Sequence, residues 1–215
     1  MEKTIIYYSA NTEKESFEQK IRDNILKHSQ GLPIISVTQK PIDFGRNICV
    51  GIQDNCYMNE FRQIRIALEN VTTPYVVVTE ADNLYPPDYF AFDPPEKGHF
   101  YRYMNVWISW LKKHRFYFKS SSDGSQMVDR DMWLDIINEV LKGKPEWVTK
   151  DSEPLPRFTP RTDKNYTWNS ENPVVTFKTG NGVNYSTAWK KNSQVKSLPF
   201  WGDCYELKKE LTLCE

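Results

Sequence analysis

Hydrophobic and polar positions follow two different periods along the chain, and their order predicts its elements. Residues 4–9 form a run rich in β-branched and aromatic side chains, as a strand does. Thr12 and Glu15 stand at capping-box spacing, and Phe17, Ile21 and Ile25 then recur at helical spacing until Gly31, Leu32 and Pro33 break the pattern. Residues 33–37 read as a second strand, followed by a loop rich in Pro and Gly through Gly45 and Gly51. Asp54 is placed to cap a second helix with Tyr57, Phe61, Ile64 and Leu68 on one face. Residues 75–79 are apolar on both faces, as in a central parallel strand.

The second half has a different texture. Residues 100–107 and 114–119 read as ring-rich antiparallel strands, and a polar loop over 120–125 leads to a short strand at 126–128. Asp131 is placed to cap a helix that turns Trp133, Ile136, Ile137 and Val140 inward, and residues 143–173 form an irregular excursion placed over the active site. Residues 174–177 make a late strand, and Asp203 with Glu206 forms a capping box for a last short helix. The alternation β-α-β-loop-α-β has connections long enough for parallel crossovers, so the fold class is α/β. In such sheets ligands collect beyond the C-terminal strand ends. That edge carries Ser9, Ala10 and Asn11, then Thr38, and then Glu80, Ala81 and Asp82.

Composition narrows the function. The 215 residues carry 28 basic and 28 acidic side chains, so no global positive field recruits nucleic acid. No window approaches the roughly 20 apolar residues of a membrane span, and the first residues lack a signal-peptide core. The four cysteines show no zinc or CxxC spacing and read as reduced thiols in a cytoplasmic protein. Glu80 and Asp82, two apart on an extended segment, point the same way, and two carboxylates on one side of a strand end call for a hard divalent cation. The alternative is a strand end that turns polar, with Asp82 and Asn83 starting a loop. The position behind a doubly buried strand favours the cation.

The run from Thr73 to Asp82, the turn Leu84, Tyr85, Pro86, Pro87 and Asp88, and the helix segment Tyr57 to Gln63 together resemble small GT-A-fold glycosyltransferases of bacteria, phages and large DNA viruses. A virus-encoded enzyme of capsid glycans fits that group. The resemblance implies one GT-A-like domain over 1–215, with a central mixed, mostly parallel sheet. Residues 1–92 would serve the nucleotide sugar and metal, and 93–215 the acceptor. It implies a UDP-sugar donor, a glycan or glycoconjugate acceptor, and Mn2+ or Mg2+. Asp82 matches the acid that ligates the metal, and Glu80 the acid that orients ribose or metal-bound water; Ala81 departs from the E-D-D pattern. Nucleotide contacts are expected from Ser9, Ala10, Asn11, Thr38, Glu80, Ala81 and, through its guanidinium, Arg62. No late His is present as a further ligand, so Thr179, Asn181 or Asn184 would replace it. Asp129, Asp131 and Asp203 compete as the base that takes the acceptor proton, each also a plausible helix cap or surface charge. Trp168, Trp189 and Trp201 are acceptor-platform candidates. A sugar-phosphate nucleotidyltransferase would require a Gly-rich, Arg-bearing first loop, which residues 9–13 lack. A non-catalytic glycan- or nucleotide-binding domain remains the alternative.

Overall fold

The structure is a computed structural model and describes residues 2–152, 154–160, 162–180 and 193–213. Seven strands form the main sheet in the order β10-β6-β9-β4-β1-β2-β3. Its parallel part is β1 (Lys3–Ser9), β2 (Ile34–Thr38), β3 (Arg46–Cys49) and β4 (Tyr75–Glu80). β9 (Gln126–Asp129) runs antiparallel to β4, with Tyr75 opposite Asp129. β6 (Phe100–Tyr103) and β10 (Asn165–Trp168) complete that side. A second sheet joins β5 (Asn83–Leu84), β7 (Val106–Trp110), β8 (Phe116–Ser120), β11 (Val174–Lys178) and β12 (Gln194–Val195). β13 (Ser197–Leu198) and β14 (Gly202–Asp203) pair as a small ribbon.

Alternation along the two central strands builds two cores. Ile5, Tyr7 and Val77 face one way, onto Phe17, Ile21 and Ile25 of α1 (Glu15–His28) and onto Phe177 of the second sheet. Ile6, Tyr8, Val76 and Val78 face the other way, onto α2 (Tyr57–Asn70) and α4 (Arg130–Leu141). Because both faces are covered, the middle residues of β1 and β4 are apolar on both sides. α3 (Pro87–Ala91) and α5 (Cys204–Glu210) close the ends. The α/β, GT-A-like expectation therefore holds, and no described helix is long and apolar enough to cross a membrane.

Several local expectations change. The expected strand over 100–107 divides between the two sheets as β6 and β7; β7 and β8 pair antiparallel as expected. β3 lies inside the expected Pro- and Gly-rich loop. It is a short, half-polar edge strand entered through Gly45, where an added Cβ would sit 2.5 Å from Ile34 O. The helix caps also move. α1 starts after Lys14 with no side-chain cap, so Thr12 does not close a capping box. The start of α2 is capped not by Asp54 but by Asp151, whose carboxylate accepts from the Tyr57 and Met58 amides at 3.1 and 2.7 Å. Asp129 rather than Asp131 caps α4, accepting from Met132 N at 3.0 Å. Asp203 caps α5 as expected. The excursion over 143–173 runs along α2, where Phe158 stacks on Phe61 with ring centroids 4.0 Å apart. Cys49, Cys56 and Cys204 form no disulfide among the described residues; Cys214 lies outside them.

Candidate functional site

A cleft of about 700 Å³, open to solvent, lies beyond the C-terminal ends of β1, β2 and β4. Its walls are the loop after β1, the start of α2, and the segment Glu80 to Asp82; Lys178 at the end of β11 closes one side. None of its described lining residues comes from 143–173, so the excursion braces α2 rather than covering the cleft.

The loop after β1 is fixed by a buried carboxyl. Asn11 adopts φ 50°, a left-handed conformation that Asn tolerates. Its backbone N–H donates to Ser9 Oγ at 2.8 Å, and Ser9 Oγ donates to Glu18 Oε1 at 3.0 Å. Asn11 Nδ2 donates to Glu18 Oε2 at 3.2 Å, while its Oδ1 accepts from Lys40 N at 2.9 Å, tying the loops after β1 and β2 together. Burial raises the proton affinity of Glu18 above the ordinary carboxyl range, opposed by the Ser9 hydrogen bond and the Arg22 charge. From α2, Gln63 Nε2 donates to Ser9 O at 2.9 Å and to Val37 O at 3.0 Å, holding the open ends of β1 and β2 at a set spacing.

At the end of β4 the two expected acids have different surroundings. Glu80 Oε1 accepts from Tyr8 Oη at 2.8 Å, and Oε2 accepts from Asn83 Nδ2 at 3.0 Å. Tyr85 Oη accepts from Glu80 N at 2.9 Å and donates to Gly124 O at 2.6 Å. Gly124 is pressed so closely onto this carboxylate that an added Cβ would lie 2.1 Å from Glu80 Oε2. Asp82 instead faces Lys178, whose Nζ donates to Asp82 Oδ2 at 3.1 Å. Burial, and then the neighbouring Asp82 charge, raise the proton affinity of Glu80. Asp82 is also the main reason that Lys178 holds its proton more tightly than usual. Burial, and then the Lys178 charge, loosen the proton of Lys119, which is held back by a 3.0 Å bond to Ser122.

Glu60, on the first turn of α2, is a cleft acid that the sequence reading did not single out. It lines the cleft, and its carboxylate makes no hydrogen bond or ion pair among the described residues. Burial, then Glu80 and Asp123, push its proton affinity well above the ordinary range. Its position at i−3 from Gln63, on the cleft end of the helix, is the signal that was available.

Of the expected site residues, the structure brings Ser9, Ala10, Glu80, Ala81 and Asp82 together on the cleft. The others lie elsewhere or are committed to structure. Thr38 Oγ1 donates to Lys40 O at 2.7 Å and accepts from Asn47 Nδ2 at 2.9 Å. Asn11 is the loop clasp just described. Arg62 is buried and spends its guanidinium on the carbonyls of Met58 (2.8 Å) and Pro145 (2.6 and 3.2 Å), away from the cleft. Two of the three expected bases are displaced for a topological reason. β9 is antiparallel to β4, so Asp129 and Asp131 fall at the opposite edge of the sheet, separated by the length of β4, roughly 17 Å. Asp131 is exposed beside Arg130, and Asp203 is an exposed cap of α5. Trp168 stacks on Phe92 in the core region, and Trp201 donates to Pro173 O. Thr179 bonds to Glu13; Asn181, Asn184 and Trp189 lie outside the described residues.

No family model matches the sequence, and no curated protein matches it. Solved structures match the fold. S. aureus TarS residues 1–349 in complex with UDP-GlcNAc is 11% identical, with a TM-score of 0.53, and the match covers 99% of this chain and 66% of that one. The inositol-1-phosphate CTP transferase from T. maritima is 11% identical with a TM-score of 0.51, over 99% of this chain and 96% of that one. A glycosyltransferase involved in glycosylation of the major capsid of PBCV-1 is 11% identical with a TM-score of 0.49, over 81% of this chain and 92% of that one. The first two of these, with TM-scores above 0.5, share the GT-A-like α/β fold of this chain, and at these identities the likeness shows fold and not chemistry.

Proposed function

We propose that the protein transfers a sugar from a UDP-sugar to a hydroxyl of a glycan or glycoconjugate, with Mn2+ or Mg2+ as cofactor. The observation that carries this reading is the Asp82–Lys178 pair on the cleft beyond the buried strand β4, where a doubly wound sheet receives its ligand. A nucleotidyltransferase shares the fold, but residues 9–13 contain no Gly, Arg or Lys to cradle a triphosphate.

The donor set fits a hard cation. The cleft's described lining includes six carboxyl side chains (Glu13, Glu18, Asp54, Glu60, Glu80, Asp82) against one ammonium, Lys178. A diphosphate entering that field requires added positive charge. Asp82 would hold the cation, with Glu80 supporting it. Among the described residues no three His, Cys, Asp or Glu form a ready-made cage, so the donor's own phosphates would complete the coordination. The bound cation would offset the charge that develops on the leaving diphosphate.

The chain's own residues do the rest. Ser9 and Ala10 leave room for the nucleoside, and Gln63 fixes the strand ends beneath it. The acceptor oxygen bonds to the sugar's anomeric carbon as the bond from that carbon to the diphosphate breaks. The hydroxyl proton passes to the Glu60 carboxylate, an acid on the cleft that no other described group engages.

Thermal-shift measurements with UDP and UDP-sugars, with and without Mn2+, test the reading. UDP is expected to raise Tm, Mn2+ to increase the shift, and Asp82→Ala to remove the increment from the metal. A metal-independent preference for another nucleotide would overturn the donor assignment. Nucleotide binding without transfer or hydrolysis of any UDP-sugar would favour a binding domain.

A further inference from the structure

Asp82 and Lys178 are held side by side by the main chain. Phe177 N donates to Asp82 O at 2.8 Å, and β11 pairs with β5, which begins one residue after Asp82. The two side chains keep 19% and 17% of their surface, so the pair faces the cleft and can exchange partners there. Lys178 is the only ammonium among the described lining residues, since Lys119 is drawn aside by Ser122. One cation therefore has two competing claims on it: the aspartate it now neutralises, and the diphosphate that the proposed donor would bring.

We propose that Lys178 is an exchangeable counter-ion, which reserves Asp82 while the cleft is empty and moves to the donor's diphosphate when the donor binds, releasing Asp82 to its metal. The proposal rests on the donor reading above and adds the coupling between nucleotide and metal. Removing Lys178 must then act with opposite signs on the two ligands, because it deletes a competitor for Asp82 and a partner for phosphate.

The test compares wild type with Lys178→Met by titration calorimetry and by electron paramagnetic resonance of free Mn2+, at fixed ionic strength, with UDP absent or saturating. Without nucleotide, Lys178→Met is expected to bind Mn2+ about tenfold more tightly. In saturating Mn2+, it is expected to bind UDP about tenfold more weakly, the size of one charge-assisted hydrogen bond. Lys178→Arg, which keeps the charge, is expected to stay near wild type on both axes and controls for folding. If UDP binding weakens while Mn2+ affinity without nucleotide is unchanged, Lys178 is a phosphate ligand only, and the exchange is overturned. Parallel losses in both, or no change in either, overturn it as well. Failure of wild type to bind UDP in any metal condition is a different result: it removes the donor reading itself.

Discussion

The two edges of the main sheet both end in acids, and the acids are used in opposite ways. At the N-terminal edge of β4, Asp129 accepts from Met132 N at 3.0 Å and from Gly98 N at 2.9 Å. Its charge is spent on backbone donors, and so it serves a helix start. At the C-terminal edge, burial and then neighbouring carboxylates raise the cost of ionising Glu60 and Glu80, and one lysine answers the group. Where backbone donors satisfy a carboxylate the structure is complete. Where carboxylates face each other across a cleft, the unmet charge marks a candidate ligand site.

Substitutions at the two edges sharpen that contrast. Glu60→Gln is expected to lower kcat by about 10²–10⁴-fold, the usual yield of a general base, while UDP affinity stays within a few-fold; steady-state kinetics beside nucleotide titration reads this. An unchanged kcat removes Glu60 as the base. Gly124→Ala places a methyl group against a carboxylate that Tyr8 and Asn83 already hold. Overpacking of this kind costs about 1–3 kcal/mol, and the displaced Glu80 should also weaken the Mn2+-dependent UDP shift; chemical denaturation and thermal shift together report it. Asp129→Ala should cost about 1 kcal/mol as a lost cap and leave kcat and UDP binding unchanged, which separates the far edge from the cleft. A large activity loss there would restore Asp129 as a candidate base.

The smallest effect concerns pH. The Glu18 carboxyl is raised above its ordinary 4.5 by burial, so its contribution to stability is complete below that value. The contribution is lost as pH rises through the raised folded value. Glu18→Gln cannot ionise, so its stability should fall less than that of wild type between pH 4.5 and 7. Denaturant melts across that range measure the difference, and parallel curves would show that Glu18 does not set it.

The main architecture was legible because its signals are local. A doubly apolar run must be a central strand, and two acids behind it must meet the open end of the sheet, so Glu80 and Asp82 could be placed from residues 75–82 alone. The distance of Asp129 and Asp131 from the cleft was not legible because strand direction is a tertiary fact. Asp129 would have reached the cleft had β9 run parallel to β4. The same holds for caps. Thr12 and Asp54 have the right chemistry at the right spacing, yet a carboxylate from elsewhere in the chain took the place of Asp54. Arg62 looked like a phosphate ligand because a sequence cannot show that Pro145 O and Met58 O stand within reach of its guanidinium. Glu60 had only its helical spacing from Gln63 to mark it in the sequence, and its place beside Glu80 appears only in the fold.

That Asp151 cap has a consequence for how the molecule is assembled. The start of α2 is a wall of the cleft, and its first amides are satisfied by a side chain 94 residues further along. Contacts of such high sequence separation form late in folding, because a long loop must close before they repay it. The strands that floor the cleft can pair while the chain is still emerging from the ribosome, but that wall is secured only once residue 151 has arrived. The cleft is thus unfinished until the segment carrying Asp151 has been made, and its Lys178 side is completed later still.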